Sequence, residues 1–291
     1  MQTSKKSVLA SNLRLVIVLV VIIVGGLLYF LYRTVYSNPT SVFYGMVSND
    51  LNTKNYVVIS SEQELSGNLL VATQVNSGPK NVIMSQETTK LANSGDIIGT
   101  LSIGTPNTDY SSYQKIEVGK SSAKYTKLLN EWGQNSPSGV NGQGGQLYKS
   151  SVFTAFLFAS PSVRDTNSLM NFIKQNKVYT IKSSKHTKSG DRQVINYQIG
   201  VNLKQYSKLL AMYSSIIGYK SHTETATYNG NQTAVLEISV DVLSRRLIGL
   251  SYVGSNSVQV YQSYGLNSPV KLPTKTVALQ DLKTEISSLS N

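Results

Sequence analysis

An uncharged apolar run near the amino terminus constrains this chain more than any other feature. Residues 15–32, between Arg14 and Arg33, include no charged residue, Asn, Gln or Pro and are dominated by Val, Ile and Leu. As an α-helix, at about 1.5 Å per residue, this run would span nearly the whole hydrocarbon core of a bilayer. We therefore predict a transmembrane helix at 15–33, after a basic tail at 1–14.

The charges that flank the run predict its orientation. Lys5, Lys6 and Arg14 precede it and no acidic residue does, and short basic flanks stay in the cytoplasm. The tail is then cytoplasmic, and a linker at 34–39 leads to an extracytoplasmic domain at 40–291. The expected location is the cell membrane, with a single pass and a cytoplasmic amino terminus.

A cleaved secretory signal peptide is the competing interpretation of the same run. The apolar part of a signal peptide is usually about 7–15 residues long and is followed by small residues at the cleavage site. Here the run is longer, and a weak site formed by Val35 and Ser37 encloses the bulky Tyr36. We favour a retained anchor, and the question of cleavage stays open.

The composition favours a β-rich domain with a basic surface. The absence of Cys excludes disulfides and acylation at a cysteine. The domain is rich in small polar residues, and the 18 Tyr of the chain exceed its 6 Phe and single Trp, which suits exposed sheet surfaces. The formal net charge of +12 favours anionic lipid headgroups, envelope polymers or nucleic acid as partners.

The densest basic stretch runs from a predicted helix end into a predicted hairpin. We identify a candidate surface basic patch of Lys182, Lys185, Lys188 and Arg192. Lysines on a hairpin edge also protect it from the addition of a further strand, so a purely protective role remains an alternative. No aromatic RNA-binding motif or helix-turn-helix accompanies the charge, and we expect no nucleic-acid partner.

Short β-rich segments separated by turn residues run through the domain. About eleven antiparallel strands tend to curl, and the intervening helices must pack on them. The predicted fold class is α+β, with a curved antiparallel sheet, an incomplete β-barrel, and helices on its concave side. The predicted strands are 55–61, 68–75, 81–88, 96–103, 110–118, 178–184, 193–201, 223–228, 234–241, 247–253 and 258–264.

Helices are predicted before, between and after these strands. Apolar spacing and capping residues indicate a short helix capped by Thr40 or Ser41, a helix at 123–132 that ends in Trp132, and helices at 163–175, 203–217 and 277–289. Asn202 caps the fourth of these. A compact apolar run, VFTAFLFA, occupies 152–159, and residues 133–145 form a loop rich in Gly.

No motif for catalysis or metal binding is present in the sequence. There are two His and no Cys, no G-x-S-x-G occurs, and no Gly-Lys-Ser or Gly-Lys-Thr follows the Gly-rich loop. The carboxylate pairs Glu62/Glu64 and Asp281/Glu285 are expected to be solvated surface acids. We therefore predict a protein that is not an enzyme, with no catalytic residues, metal or cofactor.

The carboxyl-terminal third carries a pattern that resembles a known family. In LEISVDVLSRRLIGLSYVGSNSVQVYQSYGLNSPVKLP, at 236–273, a strand ends at Asp241, a turn carries Arg245 and Arg246, and two further strands precede the exit SYGLNSPVKLP. This arrangement is similar to the end of LolA-like and LppX/LprG-like envelope lipoproteins. The resemblance in layout covers most of residues 40–275.

The resemblance implies a half-barrel whose hollow accommodates acyl chains of lipids or lipoproteins. The expected partners are the membrane and a lipid or lipoprotein. A helical tether replaces the acylated Cys or soluble form of that family, which favours presentation or local transfer of lipid over long-range transport. The residues expected to line the hollow, when they are not simply core, are Val152, Phe153, Phe156, Leu157, Phe172, Leu209, Tyr213 and Ile216.

A different class of function remains open. The domain can instead be a structural or interaction module of the cell envelope, in which its basic polar surface contacts a partner or anionic envelope polymers. The basic patch would then carry the function.

Overall fold

The computed structural model of the chain describes residues 4–32, 37–64, 67–76, 82–119, 122–135, 145–158, 160–219, 232–266 and 269–290. The strand predicted at 223–228 and most of the Gly-rich loop lie outside these residues.

A large, mostly antiparallel sheet forms the body of the domain, and its edge strand β12 pairs in parallel with β6. Within the described residues it has twelve strands in the spatial order β12-β6-β5-β4-β3-β2-β1-β11-β10-β9-β8-β7. The predicted α+β class with an open curved sheet is confirmed. The strands are β1 (Asn55–Glu64), β2 (Gly67–Asn76), β3 (Val82–Leu91), β4 (Ile97–Gly104), β5 (Asp109–Glu117), β6 (Trp132–Asn135), β7 (Tyr179–Ser189), β8 (Arg192–Asn202), β9 (Thr233–Asp241), β10 (Arg246–Tyr252), β11 (Val258–Gln262) and β12 (Val277–Ala278).

Two meanders make up eleven of these twelve strands, all but β12, and one long-range pairing joins the meanders. Strands β1 to β6 follow one another in space, as do β7 to β11. Strand β1 then pairs antiparallel with β11, with Val58 opposite Tyr261. The first strand of the domain is therefore central, and β7 and the two-residue β12 lie at the edges.

Six helices accompany the sheet among the described residues, and side-chain caps mark where three of them begin. The N–H of Ser41, Asp165 and Gln205 donates to the side chain of Asn38, Ser162 and Asn202, respectively. The cap at Asn202 is as predicted. The helices are α1 (Ser4–Leu31), α2 (Pro39–Leu51), α3 (Gln146–Val152), α4 (Val163–Gln175), α5 (Leu203–Ile216) and α6 (Leu279–Ser290).

The prediction that Thr40 or Ser41 caps the short helix is wrong. Asn38 is the cap, and Pro39 occupies the first turn of α2. Proline is well suited to this position because it has no N–H to leave unsatisfied and its φ is already helical.

The helix predicted at 123–132 is also wrong over its second half. A 3₁₀ helix covers Ser122–Leu128, and Asn130 then adopts a left-handed φ of 65° that ends it. Trp132 begins β6 and pairs with Ser112 of β5. The Gly-rich loop therefore starts later than predicted, because Gly133 belongs to the strand.

The main core lies between the helices and one face of the sheet. On β9, Leu236, Ile238 and Val240 are buried and alternate with the exposed Glu237 and the half-buried Ser239. This alternation directs one face of the strand toward α2, α4 and α5, whose apolar residues belong to the same cluster. A smaller cluster of Ile116, Tyr125, Leu128 and Leu282 packs α6 against the other end of the sheet.

Helix α1 carries the apolar run of the sequence. Its side chains are described from Ile17 onward, and the large apolar side chains of residues 17–32 are 40% to 65% exposed. Over the residues that the structure describes, no helix has the length and apolarity needed to cross a membrane.

Candidate apolar ligand site

An irregular segment runs through the middle of the main core. Residues 153–158, here called the core segment, connect the end of α3 to the approach of α4 and form neither helix nor strand. Phe156, Leu157 and Phe158 are nevertheless buried. Buried backbone carbonyls need hydrogen-bond donors, and no helix or sheet ladder supplies them here.

Tyrosine hydroxyls supply donors to this part of the chain. Tyr179 of β7 donates to the carbonyl of Ala155 at 2.8 Å, and Tyr213 of α5 donates to that of Phe158 at 2.7 Å. Tyr206 of α5 donates to the carbonyl of Thr154. Tyr56 of β1 reaches the carbonyl of Ser151, in the last turn of α3, at 3.3 Å. Side chains from two elements, β7 and α5, thus hold the backbone of the core segment, and a third, β1, holds the last turn of α3 just before it.

Burial keeps these hydroxyls protonated. Desolvation raises the pKa of Tyr179 and of Tyr56 well above the ordinary value of a tyrosine. It also raises the pKa of Tyr206 and of Tyr213. A phenol with a raised pKa stays a donor at every physiological pH, so the four hydrogen bonds do not depend on pH.

Aromatic rings fill the space around the core segment. The ring of Phe156 stacks on that of Tyr179 with centroids 5.1 Å apart. The ring of Phe158 stacks against those of Tyr56, at 4.1 Å, and Tyr261, at 5.8 Å, and these two tyrosine rings also stack, at 5.9 Å. The interior is therefore apolar and aromatic, and its tyrosine hydroxyls donate hydrogen bonds to buried backbone carbonyls.

The structure brings the eight predicted lining residues into one cluster. Five are buried in the main core, namely Val152, Phe156, Leu157, Leu209 and Tyr213. Phe153, Phe172 and Ile216 are half-buried and pack against it. Contact of these residues with a ligand stays a prediction.

The basic patch extends along the β7–β8 hairpin. Lys185, Lys188 and Arg192 take part in the hairpin register opposite Asn196, Gln193 and Ser189, respectively. The side chain of Lys182 lies over Gly200, near the other end of the strand. Because β7 is an edge strand, both edge protection and partner binding remain compatible with this placement.

A polar groove of about 490 Å³ opens on the sheet face away from the helices. Strands β7 to β11 form it, and Lys185 of the basic patch lies at its wall. Its polar lining includes Asn196, Gln198, Glu237, Ser239 and Ser251. Within the described part of the chain, no group of three or more His, Asp or Glu side chains is placed to hold a metal ion.

A buried carboxyl escaped the sequence prediction. Asp50 in α2 is 0% exposed, and neither of its carboxyl oxygens has a hydrogen-bond partner among the described residues. Burial raises the pKa of Asp50 well above the ordinary value, although the positive charge of Arg246 lowers it in part. The helical spacing could have predicted this burial, because Asp50 lies four residues after Met46 and three after Val47, on the same buried face of α2.

The comparisons with known proteins are sparse. Neither a protein-family model nor a curated protein matches the chain. Among solved structures, the chain is similar to LprF from Mycobacterium bovis, at 10% sequence identity over 82% of this chain and 98% of that chain, with a TM-score of 0.35.

Proposed function

We propose that this protein is a non-enzymatic binding protein that holds an apolar or amphipathic ligand between its curved sheet and its helices. An acyl chain of a lipid or lipoprotein is the ligand class that the interior suits best. The observation that supports the proposal is the core segment itself, an irregular stretch of buried phenylalanines that is held by tyrosine hydroxyls.

The chemistry of the core segment suggests how a ligand is accommodated. Hydrogen bonds from the side chains of Tyr179, Tyr206 and Tyr213 hold three of its carbonyls, so the segment can move away from them without breaking a strand. An acyl chain would take the space of Phe156 and Phe158. The hydroxyls released would then donate to the ester or carboxyl oxygens of the lipid, as they now donate to peptide carbonyls.

Membrane attachment completes the proposed function. The uncharged run at 15–32, its basic amino-terminal flank and the exposure of its apolar side chains support an anchor that keeps the domain on the extracytoplasmic side. A tethered binding domain suits presentation of a lipid or its transfer to a nearby partner.

Photoaffinity labelling tests this function in the full chain. The protein is placed in nanodiscs with a photoactivatable, clickable fatty acid, and labelled peptides are mapped by mass spectrometry. We expect labels in the core segment and on the buried face of α5, and competition by unlabelled fatty acid. Labels confined to residues 15–32 would contradict a ligand site in the domain.

A second candidate function rests on the polar groove. Its amide and hydroxyl lining and the nearby lysines suit an anionic envelope polymer. Co-sedimentation of the full chain in nanodiscs with isolated envelope polymers tests this, and Lys185→Glu is expected to weaken it, whereas Lys271→Glu, outside the groove, is not. Equal sedimentation of the two variants and the wild type would remove its support.

A further inference from the structure

The carboxyl-terminal end of α1 meets the sheet at Gln193, near the start of β8. The hydroxyl of Tyr32 donates to Oε1 of Gln193 at 2.8 Å. Tyr32 is also the last residue of the apolar run, and tyrosines concentrate at the interface between membrane and water. With the run in the bilayer, Gln193 lies at the level of the outer headgroups.

Two exposed cations flank Gln193. Arg192 precedes it in the chain, and Lys188 faces it across the hairpin register. Asp191 is the acidic residue of this tip, which we define as residues 188–193, and the cations outnumber it two to one. The tip therefore presents a positive charge next to the end of the anchor.

An exposed leucine lies beside the same tip. The N–H of Val242 donates to the carbonyl of Gln193 at 2.9 Å, which brings the turn between β9 and β10 next to the tip. Leu243, the following residue, is 74% exposed. The neighbouring Asp241 accepts hydrogen bonds from the N–H and hydroxyl of Ser244, so its carboxylate is engaged within the turn.

We propose that the tip and Leu243 rest on the anionic headgroups of the membrane that holds α1. Lys188 and Arg192 bind lipid phosphates, and Leu243 inserts among the headgroups. Cations beside an exposed apolar side chain are the chemistry that an anionic membrane surface attracts. Protection of the sheet edge requires charges along β7. It does not require the cations and Leu243 to lie together beside the end of α1. The inference rests on the proposed membrane anchoring, since α1 sets the height of Gln193.

The absence of cysteine from the chain makes a direct test possible. A fluorophore is attached to the full chain through Ser189→Cys at the tip or Asn256→Cys in the turn between β10 and β11, at the opposite end of the strands. The protein is held in nanodiscs of phosphatidylcholine, with or without phosphatidylglycerol, and a headgroup-labelled lipid quenches the fluorophore. We expect strong quenching at position 189 that requires phosphatidylglycerol and falls at high salt, and little quenching at position 256.

Charge variants identify the residues responsible. Each basic residue near an anionic surface strengthens contact roughly fivefold, so Lys188→Gln with Arg192→Gln should weaken the contact equilibrium roughly 25-fold, by multiplying these two factors. Asp191→Asn should strengthen it. The matched control, Lys204→Gln with Lys208→Gln on α5, removes two exposed lysines elsewhere and should leave quenching unchanged.

Retention of the chain in the bilayer distinguishes a failure of the headgroup contact from a failure of the proposed anchoring. If the chain leaves the membrane on alkaline extraction, the anchoring and this inference both fail. If the chain is retained but positions 189 and 256 are quenched equally, or if the charge variants match the control, the anchoring stands and the headgroup contact is overturned.

Discussion

The hydroxyl of Tyr213, on the buried face of α5, donates to the carbonyl of Phe158 at 2.7 Å. This bond links a regular helix to a segment that has no regular structure of its own. Both groups are buried, so neither has water as an alternative partner, and the bond helps to determine the path of the core segment.

Removal of this hydroxyl should loosen the core segment. Tyr213→Phe keeps the ring but leaves the buried carbonyl of Phe158 without its donor, which costs about 1–3 kcal/mol. We expect a lower thermal midpoint and faster amide exchange over residues 153–158, measured on the full chain in detergent. Tyr252→Phe, whose side chain is 45% exposed, is the matched control. Unchanged exchange in Tyr213→Phe would show that the hydroxyl does not hold the segment.

The buried Asp50 should make stability depend on pH. Its pKa is raised in the folded state by burial, so the unfolded chain loses the proton at a lower pH than the folded chain does. The free energy of unfolding therefore falls as pH rises above the unfolded pKa of about 4, up to the raised folded pKa.

Substitution of Asp50 tests this dependence. Asp50→Asn should flatten the fall in thermal midpoint between mildly acidic and neutral pH, and Asp50→Leu should raise stability at neutral pH by about 1–3 kcal/mol because no unpaired polar group remains. Asp191→Asn, at an exposed turn residue, serves as the control. A wild-type pH profile that Asp50→Asn leaves unchanged would contradict the prediction.

The docking of α6 should depend on a glycine in β6. A Cβ on Gly133 would lie 2.8 Å from Cδ1 and 3.0 Å from Cα of Leu279, and the backbone atom cannot turn away. Gly133→Ala should displace α6 at a cost of about 1–3 kcal/mol and speed amide exchange in that helix. Gly249→Ala is the control, because its nearest neighbour would be at an ordinary 3.5 Å. Equal amide exchange of α6 in the two variants would show that Gly133 and Leu279 are not in tight contact.

Truncation of Phe156 should enlarge the apolar interior. Phe156→Ala removes a fully buried ring, which costs about 3–5 kcal/mol, whereas Val163→Ala, at an exposed residue, should change little. A ligand that fills the space stabilises the folded state by mass action. We expect added fatty acid to restore part of the lost thermal midpoint in Phe156→Ala. A midpoint that does not respond to fatty acid would weigh against an acyl site here.

Local signals in the sequence were enough for most elements. Alternating apolar residues and turn residues predicted β4, β8, β9 and β10 close to their observed bounds, because the period of a strand and the chemistry of a turn are set within a few residues. Apolar spacing likewise predicted α4.

The errors lie where distant residues decide. We predicted that the helix continues to Trp132, yet Trp132 pairs with Ser112 in the sheet, and such a pairing depends on residues outside the local segment. The number of tyrosines was visible in the sequence, but the carbonyl that each hydroxyl meets depends on distant elements. Tyr56 and Ser151 are 95 residues apart, and Tyr197 and Pro39 are 158 residues apart.

The sequence by itself determined the apolar run, the cysteine-free β-rich domain and the order of most strands and helices, since each depends on neighbouring residues. The tertiary structure alone decided that β1 pairs with β11, that Asp50 is buried without a partner, and that tyrosines hold an irregular segment in the core. These features depend on contacts between residues far apart in the chain, whose positions are set only when the whole sheet has packed against its helices.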